Sequence, residues 1–180
     1  MNRKRILLKT IVPEVYPESL FSSSGMPVFL LDNLRSAFNV GSIFRTVEAI
    51  KPAAVFLTGI CCRPGNRKLA HSSRGTYAVV PWRYFAEASD AAVWVKESGR
   101  MLVAVENSDN AVPIWKAGFE LSSAFMFGNE ANGLQPDIAE MADLTVRFPQ
   151  TGERECINVS SIAAVIAAEI QRRKWLNSVE

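Results

Sequence analysis

Residues 27–58, PVFLLDNLRSAFNVGSIFRTVEAIKPAAVFLT, are the most informative part of the sequence about the architecture. This part opens with an apolar run at 27–32 that is typical of a buried strand. The apolar residues between 39 and 50 then follow the helical period, and 53–58 is apolar again. Continuous apolar strands that alternate with helices predict a mostly parallel sheet with helices on both faces. We therefore expect an α/β fold.

The same alternation continues to the end of the chain. It predicts strands at 77–82, 101–105, 124–127 and 144–148, and helices at 69–73, 84–98 and 159–175. Gly99 is placed to end the helix at 84–98, and residues 59–68 form a polar loop with a Pro-Gly-Asn turn. We expect one domain at 27–176, after a short lead-in at 1–26 and before a tail at 177–180.

Composition excludes several classes of protein. The chain has 180 residues, is 48% hydrophobic and carries a formal net charge of +2, which is ordinary for a globular domain. No apolar run reaches the roughly 20 residues of a membrane span, and the apolar stretch that follows the basic residues 3–5 is too short for a signal peptide. Three cysteines and one histidine argue against a disulfide framework and a zinc site. We expect a cytoplasmic protein without a membrane span or a metal.

Familiar nucleotide-binding motifs are absent from the sequence. The loop at 59–68 ends in lysine, but its glycine spacing does not fit a phosphate-binding P-loop. Gly128 and Gly133 have four residues between them, yet leucine follows where a P-loop needs lysine. The sequence also lacks Gly-x-Gly-x-x-Gly, so a standard dinucleotide site is disfavoured.

Polar residues instead collect at three junctions that follow predicted strands. The junctions are NVGSIFRT at 39–46, FGNEANGL at 127–134, and FPQTG with CINVS at 148–160. In open α/β sheets, ligands bind outside the carboxyl ends of the strands. The three junctions therefore lie where the fold predicts a functional site.

Taken together, these junctions resemble the three motifs of the SpoU (TrmH-like) branch of the SPOUT RNA methyltransferases. The resemblance extends over roughly residues 27–172. It implies a SPOUT fold whose C-terminal segment threads a loop to make a deep trefoil knot. It also implies a homodimer in which the partner completes each site. The implied activity is 2′-O-ribose methylation of tRNA or rRNA with S-adenosylmethionine and no metal.

The resemblance assigns catalytic positions to Arg45, Asn39, Glu130 and Asn158. Arg45 matches the catalytic arginine; it is a reluctant base, so gripping an RNA phosphate and stabilising the ribose alkoxide both stay open. The alternative to a catalytic role is that Arg45 forms a surface ion pair with Glu48 or Glu130. We expect Glu130 to orient Arg45 or a group of the partner chain, unless it is a solvated loop acid. Asn39 and Asn158 both suit helix caps.

Two further sets of residues are candidates for binding, one for the cofactor and one for RNA. The cofactor-binding set, matched to the motifs or placed at strand ends, comprises Gly128, Phe148, Ile157, Phe127, Pro149, Cys156, Glu106 and Asn107. Arg63 and Arg74 are predicted to contact RNA phosphates. They lie in a basic segment, and the alternative interpretation of such a segment is a solvated surface. The alanine-rich last helix suits either a buried core helix or a dimer interface.

One position departs from the family pattern. Cys156 stands where the family usually has serine, and a thiol is the weaker hydrogen-bond donor. This departure supports a second hypothesis, in which the protein binds RNA on the same fold but has little or no catalytic activity. A generic nucleotide-binding domain is a third and weaker hypothesis, because the glycine-rich fingerprints are missing.

Overall fold

The structure is a computed structural model that describes residues 21, 25–51, 53–153 and 157–179. Its strands are β1 (Val28–Asp32), β2 (Ala54–Thr58), β3 (Trp82–Phe85), β4 (Leu102–Val105), β5 (Val112–Pro113), β6 (Ala124–Phe127) and β7 (Leu144–Arg147). Its α-helices are α1 (Ala37–Ala49), α2 (Arg67–Ser73), α3 (Ala88–Glu97), α4 (Pro136–Glu140) and α5 (Val159–Asn177). Two short 3₁₀ turns lie at Thr76–Ala78 and Ile114–Lys116.

All the described strands join one sheet in the order β3-β2-β1-β6-β4-β7-β5, and every neighbouring pair is parallel. Side chains along β1 alternate between two apolar cores. Phe29 and Leu31 pack with α1 and α5 on one face, whereas Leu30 packs with α3 and α4 on the other. This confirms the predicted α/β sheet with helices on both faces.

Three details of the sequence-based prediction were wrong. Residues 77–82 are not a strand, because a 3₁₀ turn occupies Thr76–Ala78 and β3 begins at Trp82, where it pairs with β2. The helix predicted from residue 84 therefore begins at Ala88. The short elements β5 and α4 were not predicted at all. The other bounds differ by a few residues at most.

Two expectations about the fold, the trefoil knot and the domain bounds, stay predictions. The expected trefoil knot would involve the segment between β7 and α5, where residues 154–156 lie outside the described residues. The bounds of the lead-in, the domain and the tail are likewise predictions. In the part of the chain that the structure describes, none of the helices has both the length and the apolar composition that a membrane crossing requires.

Helix α1 begins with a serine cap and meets α2 at a glycine. The Ser36 hydroxyl accepts a hydrogen bond from the Asn39 N–H, so Ser36 and not Asn39 is the N-cap. The Ser72 hydroxyl donates to the Ala37 carbonyl (2.9 Å), which ties the two helices together. A Cβ at Gly41 would collide with the Ser72 side chain and the Ser73 backbone. The motif glycine therefore permits this close approach of two helices.

We predict that Gly41→Ala lowers the free energy of unfolding by about 1–3 kcal/mol, because the added methyl group overpacks the contact between α1 and α2. Helix propensity alone would favour alanine, so the sign of the change separates the two effects. Gly118→Ala is the control: a Cβ there meets nothing within 4 Å. Urea unfolding measures both variants. An unchanged Gly41→Ala midpoint would contradict the packing role.

Candidate active site

A cavity of about 750 Å³ lies where the carboxyl ends of β6, β4 and β7 meet. Its lining comes from the strand ends and the loops that follow, within residues 105–109, 127–133 and 148–150, and from the start of α5 at 157–162. Adjacent parallel strands place their carboxyl ends at the same edge of a sheet, which is why loops distant in sequence meet here. The volume is in the range of small-molecule binding sites.

The loop after β6 folds back on itself tightly. Asn129 and Gly133 exchange two backbone hydrogen bonds of 2.9 Å. Gly133 has a φ of +70°, and a Cβ on Gly128 would collide with the backbone of Gly133 and Leu134. Gly128 belongs to the predicted cofactor-binding set, and in the structure its missing side chain first allows the loop to approach itself closely.

The Glu130 carboxylate attaches this loop to the start of α1. Its two oxygens accept hydrogen bonds from the backbone N–H groups of Arg35 and Ser36 (both 3.0 Å) and from the Asn39 side-chain amide (2.9 Å). The Asn129 amide adds a bond to the Asn33 carbonyl (2.6 Å). The backbone N–H groups and the positive end of the α1 dipole both stabilise the negative charge of this carboxylate.

Asn39 connects that attachment to the third motif. Its side-chain oxygen accepts from the Asn158 amide (3.1 Å) while its own amide donates to Glu130. Asn158 in turn caps α5, because its oxygen accepts from the N–H and the hydroxyl of Ser160 (2.8 and 2.7 Å). A continuous series of hydrogen bonds, here called the motif network, therefore runs from Glu130 through Asn39 to Asn158.

The two glutamates at the cavity have opposite pKa shifts. Burial by itself raises the pKa of Glu130, but the hydrogen bonds from Arg35, Asn39 and Ser36 outweigh burial and hold that pKa below its ordinary value. Burial raises the pKa of Glu106, and the single bond from the Leu134 N–H opposes this only in part. The charge on Glu106 is thus the less well compensated of the two.

Arg45 lies apart from the motif network. It follows Asn39 by six residues, which turns it about 120° around the helix, and its side chain is exposed. It borders a shallow depression with Ser42, Thr46, Glu48 and Thr76. Within the described residues its guanidinium has no hydrogen bond or ion pair; Glu48 pairs with Lys51 (3.1 Å) instead. Neither expected pairing of Arg45, with Glu48 or with Glu130, is present in the protomer.

Most of the cofactor-binding set lines the cavity. The lining members are Gly128, Phe148, Ile157, Phe127, Glu106 and Asn107. Pro149 lies between two lining residues but is not itself at the wall, and Cys156 lies outside the described residues. Sequence reasoning missed Asp109, Gln150 and Ile162, although their places just after strand ends or one turn into α5 were a usable signal.

The two arginines assigned to RNA, Arg63 and Arg74, are exposed and do not line the cavity. The Arg63 guanidinium stacks over the Tyr84 ring at 4.3 Å. Arg74 ends α2 in the left-handed region, with a φ of +54°. Their assignment to RNA therefore stays a prediction. The described residues contain no group of three or more side chains arranged to hold a metal ion.

The fold and the position of the cavity define an open α/β protein with a ligand site at the carboxyl edge of its sheet. A family model described as the SpoU rRNA methylase family matches residues 26–168. The chain belongs to that family.

Relatives and solved structures agree with this assignment. The chain is 26% identical over 149 residues to an uncharacterised tRNA/rRNA methyltransferase of Synechocystis, covering 83% of the chain and 54% of that protein. It is 26% identical over 146 residues to the tRNA (guanosine(18)-2′-O)-methyltransferase of Escherichia coli, covering 80% of the chain and 62% of the enzyme. The chain thus spans less than two thirds of either relative.

Among solved structures, the AdoMet-bound rRNA methyltransferase from Sinorhizobium meliloti superposes with a TM-score of 0.79 at 23% identity. The match covers 86% of this chain and 60% of that one. At this identity the likeness shows the fold, which is the SPOUT fold expected from the sequence.

We predict that Glu130→Gln lowers the free energy of unfolding by about 1–2 kcal/mol at neutral pH, because a neutral amide meets three donors that now face a carboxylate. The pKa of Glu130 is lowered in the folded protein, so its contribution is present above the ordinary value of 4.5 and is lost as pH falls. The difference between wild type and variant should therefore shrink below about pH 4.5.

Urea unfolding at a series of pH values checks this, with Glu140→Gln as the control. The Glu140 side chain is exposed and makes no hydrogen bond or ion pair in the described part of the chain, so its variant should stay within about 0.5 kcal/mol of wild type. A constant difference between wild type and Glu130→Gln from pH 7 to 3 would contradict the role of the charged carboxylate.

Proposed function

We propose that this protein is an S-adenosylmethionine-dependent 2′-O-ribose methyltransferase that acts on tRNA or rRNA. The supporting observation is the motif network, which joins the three family motifs around one cavity. The Escherichia coli relative is a 2′-O-methyltransferase, and the Sinorhizobium meliloti structure is bound to AdoMet, the methyl donor. Because the chain spans only part of these proteins, activity and substrate are inferences for this chain.

The residues present fit such a methyl donor. Phe127, Phe148 and Ile157 give the cavity apolar walls for an adenosine. The tight loop at 128–133 presents backbone groups without bulky side chains at its two glycines. When bound, S-adenosylmethionine supplies an electrophilic methyl group on a sulfonium. Gly128, Phe148 and Ile157 would hold it, with Glu106 and Asn107 at the same wall.

The chain's own residues would then position the RNA and handle the hydroxyl proton. The 2′-hydroxyl must lose its proton as the new C–O bond forms, and a guanidinium stabilises the developing alkoxide while water or a phosphate takes the proton. We assign this role to Arg45, whose guanidinium is exposed and unengaged in the described protomer. Asn39, Glu130 and Asn158 would hold the loops in place, so we treat them as positioning residues.

Arg45 does not reach the cavity of its own chain, which supports a shared site. We propose a homodimer in which Arg45 of one protomer serves the cavity of the other. The exposed side of α5 carries Ala164 and Ala168, which permit close helix approach, and Trp175, which is 64% exposed. On α1, Phe38 is 59% exposed. Exposed apolar side chains of this size suit an interface.

The alternative function is RNA binding without efficient catalysis, for which the observation is Cys156 in place of serine. RNA binding in the absence of transfer, with salt-dependent affinity, would favour it. A cytoplasmic location also stays a prediction.

We predict that Arg45→Ala lowers the rate of methyl transfer to RNA by about 100-fold or more, because it removes the proposed stabilisation of the alkoxide. Affinity for S-adenosylhomocysteine should stay within a few-fold of wild type, since Arg45 does not line the cavity. Transfer is measured with labelled methyl donor, affinity by calorimetry. Lys96→Ala, which removes an exposed cation from α3 on the other face of the sheet, is the control. Near-normal turnover of Arg45→Ala would refute the catalytic assignment.

Mixed dimers test the shared site directly. Arg45→Ala and Ile157→Trp, which adds bulk at the cavity wall, should each be inactive alone. After unfolding and refolding at equal concentrations, we expect roughly a quarter of wild-type activity, because half of the dimers are mixed and each has one intact composite site. If Arg45 instead serves its own cavity, no mixed dimer has an intact site and activity stays absent.

A further inference from the structure

Glu106 is the first residue after β4, and within the described residues one of its carboxylate oxygens has no hydrogen-bond donor. Its backbone N–H donates to the Val146 carbonyl (3.0 Å), which continues the pairing of β4 with β7 and fixes the position of the residue. The oxygen Oε1 accepts from the Leu134 N–H at 2.6 Å. Among the described residues nothing donates to Oε2. The side chain is half-buried and lines the cavity.

The charges around the cavity make Glu106 distinctive. Among the described residues, three acidic side chains line it, namely Glu106, Asp109 and Glu130, and no lysine, arginine or histidine of that part of the chain does so. Glu130 is satisfied by three donors, and Asp109 is exposed to water. Glu106 is partly desolvated with one donor, and burial raises its pKa. A carboxylate in this condition gains more from a nearby cation than an exposed one does.

We propose that Glu106 makes the cavity select a nucleoside with a positive charge at the sulfur position, S-adenosylmethionine, over its uncharged counterpart S-adenosylhomocysteine. This inference rests on the proposed function. The two molecules share the adenosine, the amino group and the carboxylate, so a difference in their affinities reports on the sulfonium. Apolar walls and backbone groups hold both alike, and Glu106 supplies the interaction that distinguishes them.

The selection has a consequence for turnover. A cavity that prefers the charged donor holds the neutral product less tightly, so product leaves and inhibits less. The donor loses its positive charge as the methyl group is transferred. Because Glu106 stabilises that charge in the bound donor, the preference for the donor comes with a somewhat slower transfer. Glu106 is therefore a specificity-determining residue and not a catalytic one.

Calorimetric titration of three ligands into wild type and Glu106→Gln tests the proposal. The ligands are S-adenosylmethionine, S-adenosylhomocysteine and sinefungin, in which a carbon bearing an amine replaces the sulfonium. Glutamine keeps an oxygen that can accept from the Leu134 N–H, so the loop should stay in place. We expect Glu106→Gln to weaken both cationic ligands about 10-fold and S-adenosylhomocysteine less than 2-fold.

Asp109→Asn separates a local contact from the general negative field. Its side chain is exposed, so the ratio of the affinities for the charged and neutral ligands should change less than in Glu106→Gln. An equal change in both variants would contradict the assignment to Glu106. So would an equal loss for all three ligands, which would place Glu106 against the ribose or the amino acid part.

The wild-type titration decides the matter even where a variant does not fold. If wild type binds S-adenosylhomocysteine as tightly as S-adenosylmethionine, the proposal is wrong while the proposed function stands. If wild type binds none of the three, the proposed function itself fails.

Discussion

The side-chain amide of Asn39 is the interaction on which the site depends. One end donates to Glu130, 91 residues away, and the other accepts from Asn158, 119 residues away. Because an amide is donor and acceptor at once, it joins two loops that would otherwise meet only through the sheet. The cavity lies between these loops, so its shape follows from whether the two hydrogen bonds form. An aspartate of the same size could not make the first of them.

The strand order makes such a short connection possible. The neighbours β1, β6, β4 and β7 bring the first, second and third motifs to one edge of the sheet. Within the first motif, the turn of α1 then divides the roles: Asn39 faces the other loops, Gly41 receives α2, and Arg45 faces solvent. A single helical segment thus serves the motif network, the packing and, in our proposal, the partner's site.

Sequence reasoning reached the architecture and most of the cavity wall, because both depend on local signals. Buried parallel strands are apolar throughout, as in β1, and glycines such as Gly128 mark tight backbone turns. It failed where tertiary contacts decide between equal local options. Ser36 and Asn39 are both good caps, and the carboxylate of Glu130 engages Asn39. The aromatic residues between 77 and 85 are compatible with a strand at 77–82 or at 82–85, and the pairing with β2 selects 82–85.

A crystal structure of the protein with S-adenosylhomocysteine would show the ligand and the motif network together, and it is therefore the decisive experiment. We expect ligand density in the cavity between β6, β4 and β7, with the hydrogen bonds from Asn39 to Glu130 and Asn158 intact. We also expect the guanidinium nearest the ligand to be Arg45 of the second protomer. Ligand bound elsewhere on the chain, or bound only after these hydrogen bonds break, would contradict these expectations.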